Sequence, residues 1–211
     1  MCNIYMKEKV LVVSKTHMNN GHCCVGAVTL NGEFIRLKDA NGHNQPDDVD
    51  FTLGKVYWVE YEKNVNTIPP HVEDVFVSSH KFYGKLKDDI TFVDFLTKRN
   101  VFIHSGSVDD LFQGFLKWTH TGSGYVTQEA IPDNSVGFWI SDRDLEICEF
   151  YGTRYSYPST HGSRRLKFVG YQDTVDVIPA GTLMRVSLAR WWQKDEYSED
   201  SCYLQLSGWY N

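Results

Sequence analysis

Short runs of β-branched and aromatic residues, separated by clusters of Gly, Asn, Asp and Pro, set the rhythm of this chain. KVLVVSKT (residues 9–16) is β-branched with little alternation, the pattern of a strand buried on both faces. HMNNGH (residues 17–22) is a turn in which Asn20 and Gly21 supply the left-handed positions. A second strand covers residues 23–30, and Asn31-Gly32 marks a tight hairpin into a third at residues 33–38. The polar segment DANGHNQPDDVD (residues 39–50) is a loop. KVYWVEYEK (residues 55–63) alternates as a fourth strand, and VEDVFVSSH (residues 72–80) follows the Pro69-Pro70 break as a fifth. Five short strands with no helix in the first 85 residues predict a small barrel, a pattern shared by OB-type and SH3-type barrels.

The period then changes. DDITFVDFLTKRN (residues 88–100) spaces Phe92, Phe95 and Leu96 as a helix behind an Asp88 cap. SVDDLFQGFLKW (residues 107–118) predicts a second helix, with Ser107 and Asp110 close to a capping box and Leu111, Phe112, Phe115 and Leu116 as its apolar stripe. Strands return at residues 136–140 and 144–151, a loop is expected at 155–162, and RRLKFVGY (residues 164–171) is a strand with a basic entry. The chain closes on a hairpin, with strands expected at 182–192 and 202–210. Alternation puts Met184, Val186 and Leu188 on one face and Arg185, Ser187, Ala189 and Trp191 on the other. In the last strand Leu204 and Leu206 share a face, and Tyr203, Gln205, Ser207 and Trp209 share its opposite. A β-bulge would exchange the outward roles of Trp191 and Trp192. Gly54 and Gly181, 127 positions apart, each head an alternating strand, so that Tyr57, Val59 and Tyr61 correspond to Met184, Val186 and Leu188. That correspondence suggests two similar halves.

Composition narrows the class. Aromatic residues reach 14% and 16 glycines punctuate the chain, which favours strands. A net charge of −6 argues against a broad electrostatic footprint for duplex nucleic acid while leaving room for a local basic groove. Five cysteines without framework spacing are expected to be reduced thiols of a cytoplasmic protein. The N-terminal apolar run is too short for a signal segment, and no run approaches the roughly 18 apolar residues of a membrane span.

The runs VSLARWW (residues 186–192) and CYLQLSGWY (residues 202–210) resemble the ending of the bacterial dual OB-containing domain family. The beginning, KVLVVSKTHMNNGHCCVGAVTLNGEFIRL with the QPDD loop and PPHVEDV, is similar to that family as well. The resemblance covers nearly the whole chain. It implies a mainly β fold of two OB-like small β-barrels joined by a short helical connector, in a bacterial defence or mobile-element setting, and it brings no catalytic residues with it. The expected division is a first barrel at 7–85, the connector at 86–125 and a second barrel at 126–211.

OB barrels bind single-stranded nucleic acid or nucleotides across one sheet face. On that reading Trp191, Tyr203 and Trp209 are stacking candidates, Gln205 is a base-edge partner, and Arg185, Arg164, Arg165 and Lys167 meet phosphates. The bland alternative is that the aromatics seal an interface between the barrels and the cations are solvated strand ends. Lys15, Asn19, Asn20 and Arg36 stand around the first-barrel turn, where ligand loops would lie, although an Asn-Asn-Gly run is commonly just a turn. His22, Cys23 and Cys24 have no metal-ligand spacing, since adjacent strand residues point to opposite faces. Asp142, Asp144 and Glu146 alternate and can hold a divalent cation or simply form a solvated edge. No cofactor, metal or catalytic residue is assigned. Two alternatives stand beside the nucleic-acid module: a protein-interaction module docking a partner effector, and a small metal-dependent hydrolase using His71, Glu73 and Asp74.

Overall fold

The computed structural model of the protein describes residues 5–160, 162–193 and 195–210; Cys2 lies outside them. The fold is mainly β and divides into two units. The first takes in the chain through Ile68 together with Val72–Phe102, and the second takes in Pro69–His71 together with the chain from Ile103 onward.

In the first unit β1 (Tyr5–His17), β2 (His22–Thr29), β3 (Phe34–Lys38), the two-residue β4 (Gln45–Pro46), β5 (Lys55–Lys63) and β6 (Asp74–Lys85) form one sheet in the order β1-β5-β6-β3-β2-β4. A further β1–β2 pairing brings the ladder back to its first strand. That strand is long enough to serve two neighbours: residues 5–11 pair with β5 and residues 10–17 with β2, across a bulge between Val12 and Ser14. The third and last long strands, β3 and β6, run parallel. Val10 and Val12 pack with Val25, Ile35, Tyr57 and Val59 in the core, while Leu11 and Val13 are fully buried as well, as the unbroken apolar run predicts. The single α-helix among the described residues, α1 (Phe92–Thr97), is capped by Thr91 and Asp94 in a reciprocal capping box. The expected cap Asp88 is exposed and pairs with Lys85 instead.

The second unit holds β7 (Ile103–Gly106), β8 (Lys117–Trp118), β9 (Gly124–Thr127), β10 (Val136–Ser141), β11 (Leu145–Glu149), β12 (Thr153–Tyr157), β13 (Arg164–Phe168), β14 (Val177–Ile178), β15 (Leu183–Leu188) and β16 (Ser201–Tyr210). Its main path is β14-β11-β12-β13-β16-β15-β10-β7, with β9 on β16 and β8 on β9. The plan repeats that of the first unit. β10 pairs with β15 and β11 with β12, so these two short strands together do what β1 does alone, and β13 runs parallel to β16 as β3 does to β6. Gly54 and Gly181 occupy matching turns. Each has a positive φ (77° and 84°), and each donates its N–H, at 2.9 Å, to the first strand of its unit where that strand bends or ends, at Val12 and at Ser141. The strands they head bury Tyr57, Val59 and Tyr61 in one unit and Met184, Val186 and Leu188 in the other.

Four sequence expectations are corrected here. The loop expected at 155–162 begins as strand β12, whose Tyr155 and Tyr157 are core residues; the Pro-Ser-Thr end of that run masked the alternation before it. The helix expected over 107–118 is two short 3-10 turns, because Phe112 (φ 53°) and Gln113 (φ 60°) are left-handed and cannot continue a right-handed helix. The connector at 86–125 is therefore only minimally helical, and β7, β8 and half of β9 lie in it. The hairpin β15–β16 carries a register shift after Arg185, where Ser187 and Val186 meet Gln205 and Leu206 but Arg185 meets Gly208. That extra residue turns Trp209 inward, away from the face of Tyr203 and Gln205.

Candidate functional site

The outer face of β12, β13 and β16 gathers cations, an amide and aromatics without a carboxylate to balance them. Side chains directly opposite one another on paired strands share a face. Arg154 stands opposite Lys167, Lys167 opposite Gln205, and Ser156 opposite Arg165. Two residues back along β16, Tyr203 stands opposite Tyr125 of β9, with ring centroids 5.7 Å apart. Leu166, Leu204 and Leu206 alternate with these residues into the core and fix which side faces out. From Arg154 to Tyr203 the stripe spans two inter-strand steps and two residues, about 12 Å.

The electrostatics of this face are unusual. Like charges directly opposite on neighbouring strands are destabilising. Yet Arg154, Arg165 and Lys167 pair with no carboxylate among the described residues. Arg154 donates Nε to the carbonyl of Phe150 at 2.6 Å, and Arg165 donates to the carbonyl of Thr121 while its guanidinium lies 4.7 Å from the Phe150 ring. Burial presses the Arg154 guanidinium below its ordinary value; Cys148 across the strand opposes that shift and the neighbouring Arg165 charge adds to it. The Arg154 guanidinium stays charged all the same, since arginine does not deprotonate in proteins. The arrangement suits an anion. Glu146 shares the row of Arg165 beyond Ser156 and makes no ion pair with it.

Aromatic surface flanks the cations. Trp192 is 52% exposed and sits edge-on to Tyr203, with centroids 6.0 Å apart. In the loop between β11 and β12, Phe150 and Tyr151 stack edge to face, and Tyr151 is 87% exposed.

The structure thus brings together four residues singled out in the sequence: Tyr203, Gln205, Arg165 and Lys167. The others lie elsewhere. Arg164 stacks over Trp118 and faces Asp109 at 3.2 Å. Arg185 is buried beside the Phe138 ring, and Trp209 is a core residue against Tyr155 and Phe168. Trp191 is half-buried and donates its indole N–H to the Pro69 carbonyl at 2.8 Å, so Trp192 is the outward tryptophan. Sequence reading missed Arg154 and Tyr125 and left open which of Trp191 and Trp192 faces outward. Arg154 falls between the strand expected at 144–151 and the loop expected at 155–162, and only cross-strand pairing reveals its neighbours.

In the first unit, Lys15 is occupied by the carbonyls of Asp47 and Val49, at 2.8 and 3.1 Å, while Asn19 and Asn20 are exposed turn residues. Arg36 is buried and donates to Asp74 at 2.9 Å with Glu73 at 3.6 Å. The proposed acid–base grouping therefore does not converge: the two carboxylates serve Arg36, and His71 meets the buried thiol of Cys202 at 3.7 Å. Burial pushes that thiol up to about 12. Asp142 accepts from the Tyr157 hydroxyl and Asp144 from the Ala180 N–H, so the alternating acids also have separate tasks. No cluster of metal-ligating side chains occurs among the described residues, and none of their helices is long and apolar enough to cross a membrane.

The family profile of the dual OB-containing domain matches residues 8–209. The chain belongs to that family. No curated protein and no solved structure matches it. In OB folds the face of the second and third strands, with the loops between strands one and two and between strands four and five, takes the ligand. Counting β10 with β11 as the first strand of this unit, β12 and β13 are its second and third, and the Phe150–Tyr151 loop and the Trp192 loop hold the positions of those two loops.

Proposed function

We propose that this dual OB chain is a non-catalytic binding module of two OB-type barrels, whose second unit takes single-stranded nucleic acid across β12, β13 and β16. The observation that carries the reading is the cross-strand set Arg154, Arg165 and Lys167, like charges held together beside Gln205 and the Tyr125–Tyr203 pair. Phosphates relieve the repulsion, bases stack on Tyr203 and Trp192, and Gln205 offers a donor and an acceptor to a base edge. A single strand fits better than a duplex, because the chain as a whole is acidic and the basic surface is one narrow stripe. We place the protein in the bacterial cytoplasm, in a defence or mobile-element setting, on the family resemblance and the odd cysteine count.

The test is fluorescence anisotropy with labelled oligo-dT and oligo-U at roughly 50 and 200 mM salt. Saturable binding is expected to weaken at the higher salt. Tyr203→Ala should cost about 1–3 kcal/mol of affinity, the range for one stacked base. The Arg154→Ala, Arg165→Ala double variant should flatten the log K against log salt slope by about 1.4, or roughly 0.7 for each phosphate contact. Absence of binding, or binding indifferent to both salt and these variants, sinks the reading and leaves the protein-interaction module in its place.

A further inference from the structure

The first unit carries its own cationic and aromatic surface, on the opposite set of strands from the face just described. On the outside of β1, β5 and β6, Trp58 stands opposite Lys9 on one side and Lys81 on the other. A bulge between Val56 and Tyr57 leaves Tyr83 as the extra residue of β6. Lys9 Nζ lies 3.6 Å from the centroid of the Tyr83 ring and 5.2 Å from that of Trp58, and the two rings meet edge to face at 6.4 Å. Beside them is a depression of about 290 Å³ lined by Lys7, Trp58, Glu60, Ser79, His80 and Lys81.

Charge decides what such a depression accepts. Glu60 is matched by Lys7 at 2.5 Å and by the Tyr5 hydroxyl at 2.9 Å. Asp50 is hydrogen-bonded to His80 Nε2 at 2.5 Å. Lys9 and Lys81 meet no carboxylate among the described residues, so the local surplus is positive beside an exposed indole. The volume lies at the low end of the roughly 300–1,000 Å³ typical of small-ligand sites. We propose that the first unit binds a free mononucleotide here, its base against Trp58 and its phosphate at Lys81, which lines the depression. This site is independent of the strand reading for the second unit.

Titration calorimetry of the whole chain with AMP and UMP tests it. Saturable binding is expected, weakened about tenfold by Trp58→Ala, as for one stacked base. It should weaken several-fold in Lys81→Glu, an exposed position where folding is not at stake, and be unchanged in the Arg154→Ala, Arg165→Ala double variant. Adenosine and ribose 5-phosphate should each bind more weakly than AMP. The proposal is overturned by no binding at about 10 mM, far above the micromolar-to-millimolar range of functional sites. It is overturned equally if either half-ligand matches AMP, or if binding survives Trp58→Ala and Lys81→Glu but is lost in the arginine double variant.

Discussion

The two units place a cation at the same point of the same parallel ladder and then treat it in opposite ways. In the first, Arg36 of β3 stands opposite Asp74 of β6, with Glu73 beside it, and all three are buried. In the second, Lys167 of β13 stands opposite Gln205 of β16, and its other neighbour is Arg154, a further cation. One face is closed by internal ion pairing and the other is left with surplus positive charge. Strand order alone therefore does not set the charge of an OB face; in these two units it differs with the residue across the parallel ladder.

The largest effect should come from breaking the closed face. Arg36→Ala leaves Glu73 and Asp74 buried without their counter-ion, and urea denaturation should show a loss of about 3–5 kcal/mol. Arg165→Ala in the second unit removes a repelled, partly exposed charge and should change stability by less than about 1 kcal/mol. An intermediate effect should follow from copying one face onto the other. Gln205→Asp supplies the acid that the first unit has, so anisotropy should report roughly tenfold weaker oligonucleotide binding and a salt slope lower by about 0.7. The smallest effect compares two core thiols. Burial pushes Cys23 up to about 11 and Cys202 up to about 12, from an ordinary value of 9.0. The folded state holds these protons and the unfolded chain releases them above about pH 9. Their contribution to stability is thus complete below pH 9 and declines as pH rises, toward 11 for Cys23 and toward 12 for Cys202. Denaturation midpoints measured between pH 8 and 10.5 should fall accordingly. An iodoacetamide label at pH 8 should reach Cys24 and Cys148 well before either core thiol.

Much of the fold was legible in the chain because it is written in local period. The hairpin turns, the doubly buried run at Val10 to Val13 and the matched strands behind Gly54 and Gly181 all follow from alternation and turn chemistry. The failures have one cause, which is that alternation does not show where it is interrupted. A single extra residue near Gly208 moved Trp209 from the expected stacking face to the core, and a Cβ at Gly208 would meet the Gln172 side chain at 2.5 Å. Two left-handed residues in the middle of an apolar stripe turned an expected helix into separate turns. The cationic face was half legible. Tyr203, Gln205, Arg165 and Lys167 stood out as residue types, but Arg154 becomes a partner only through pairings between strands.

The gap between β10 and β11 has a consequence for how neighbouring ladders are joined. A continuous β1 links its pairing with β5 directly to its pairing with β2 through one backbone. In the second unit the corresponding strand is interrupted at residues 142–144, all exposed. Side chains tie the interrupted segment on several sides: Ser141 Oγ donates to the Arg143 carbonyl and accepts its N–H, Asp142 accepts from the Tyr157 hydroxyl, Arg143 donates to the Pro158 carbonyl, and Asp144 accepts from the Ala180 N–H. What the first unit does with one unbroken ladder, the second does with two ladders stitched together by side chains.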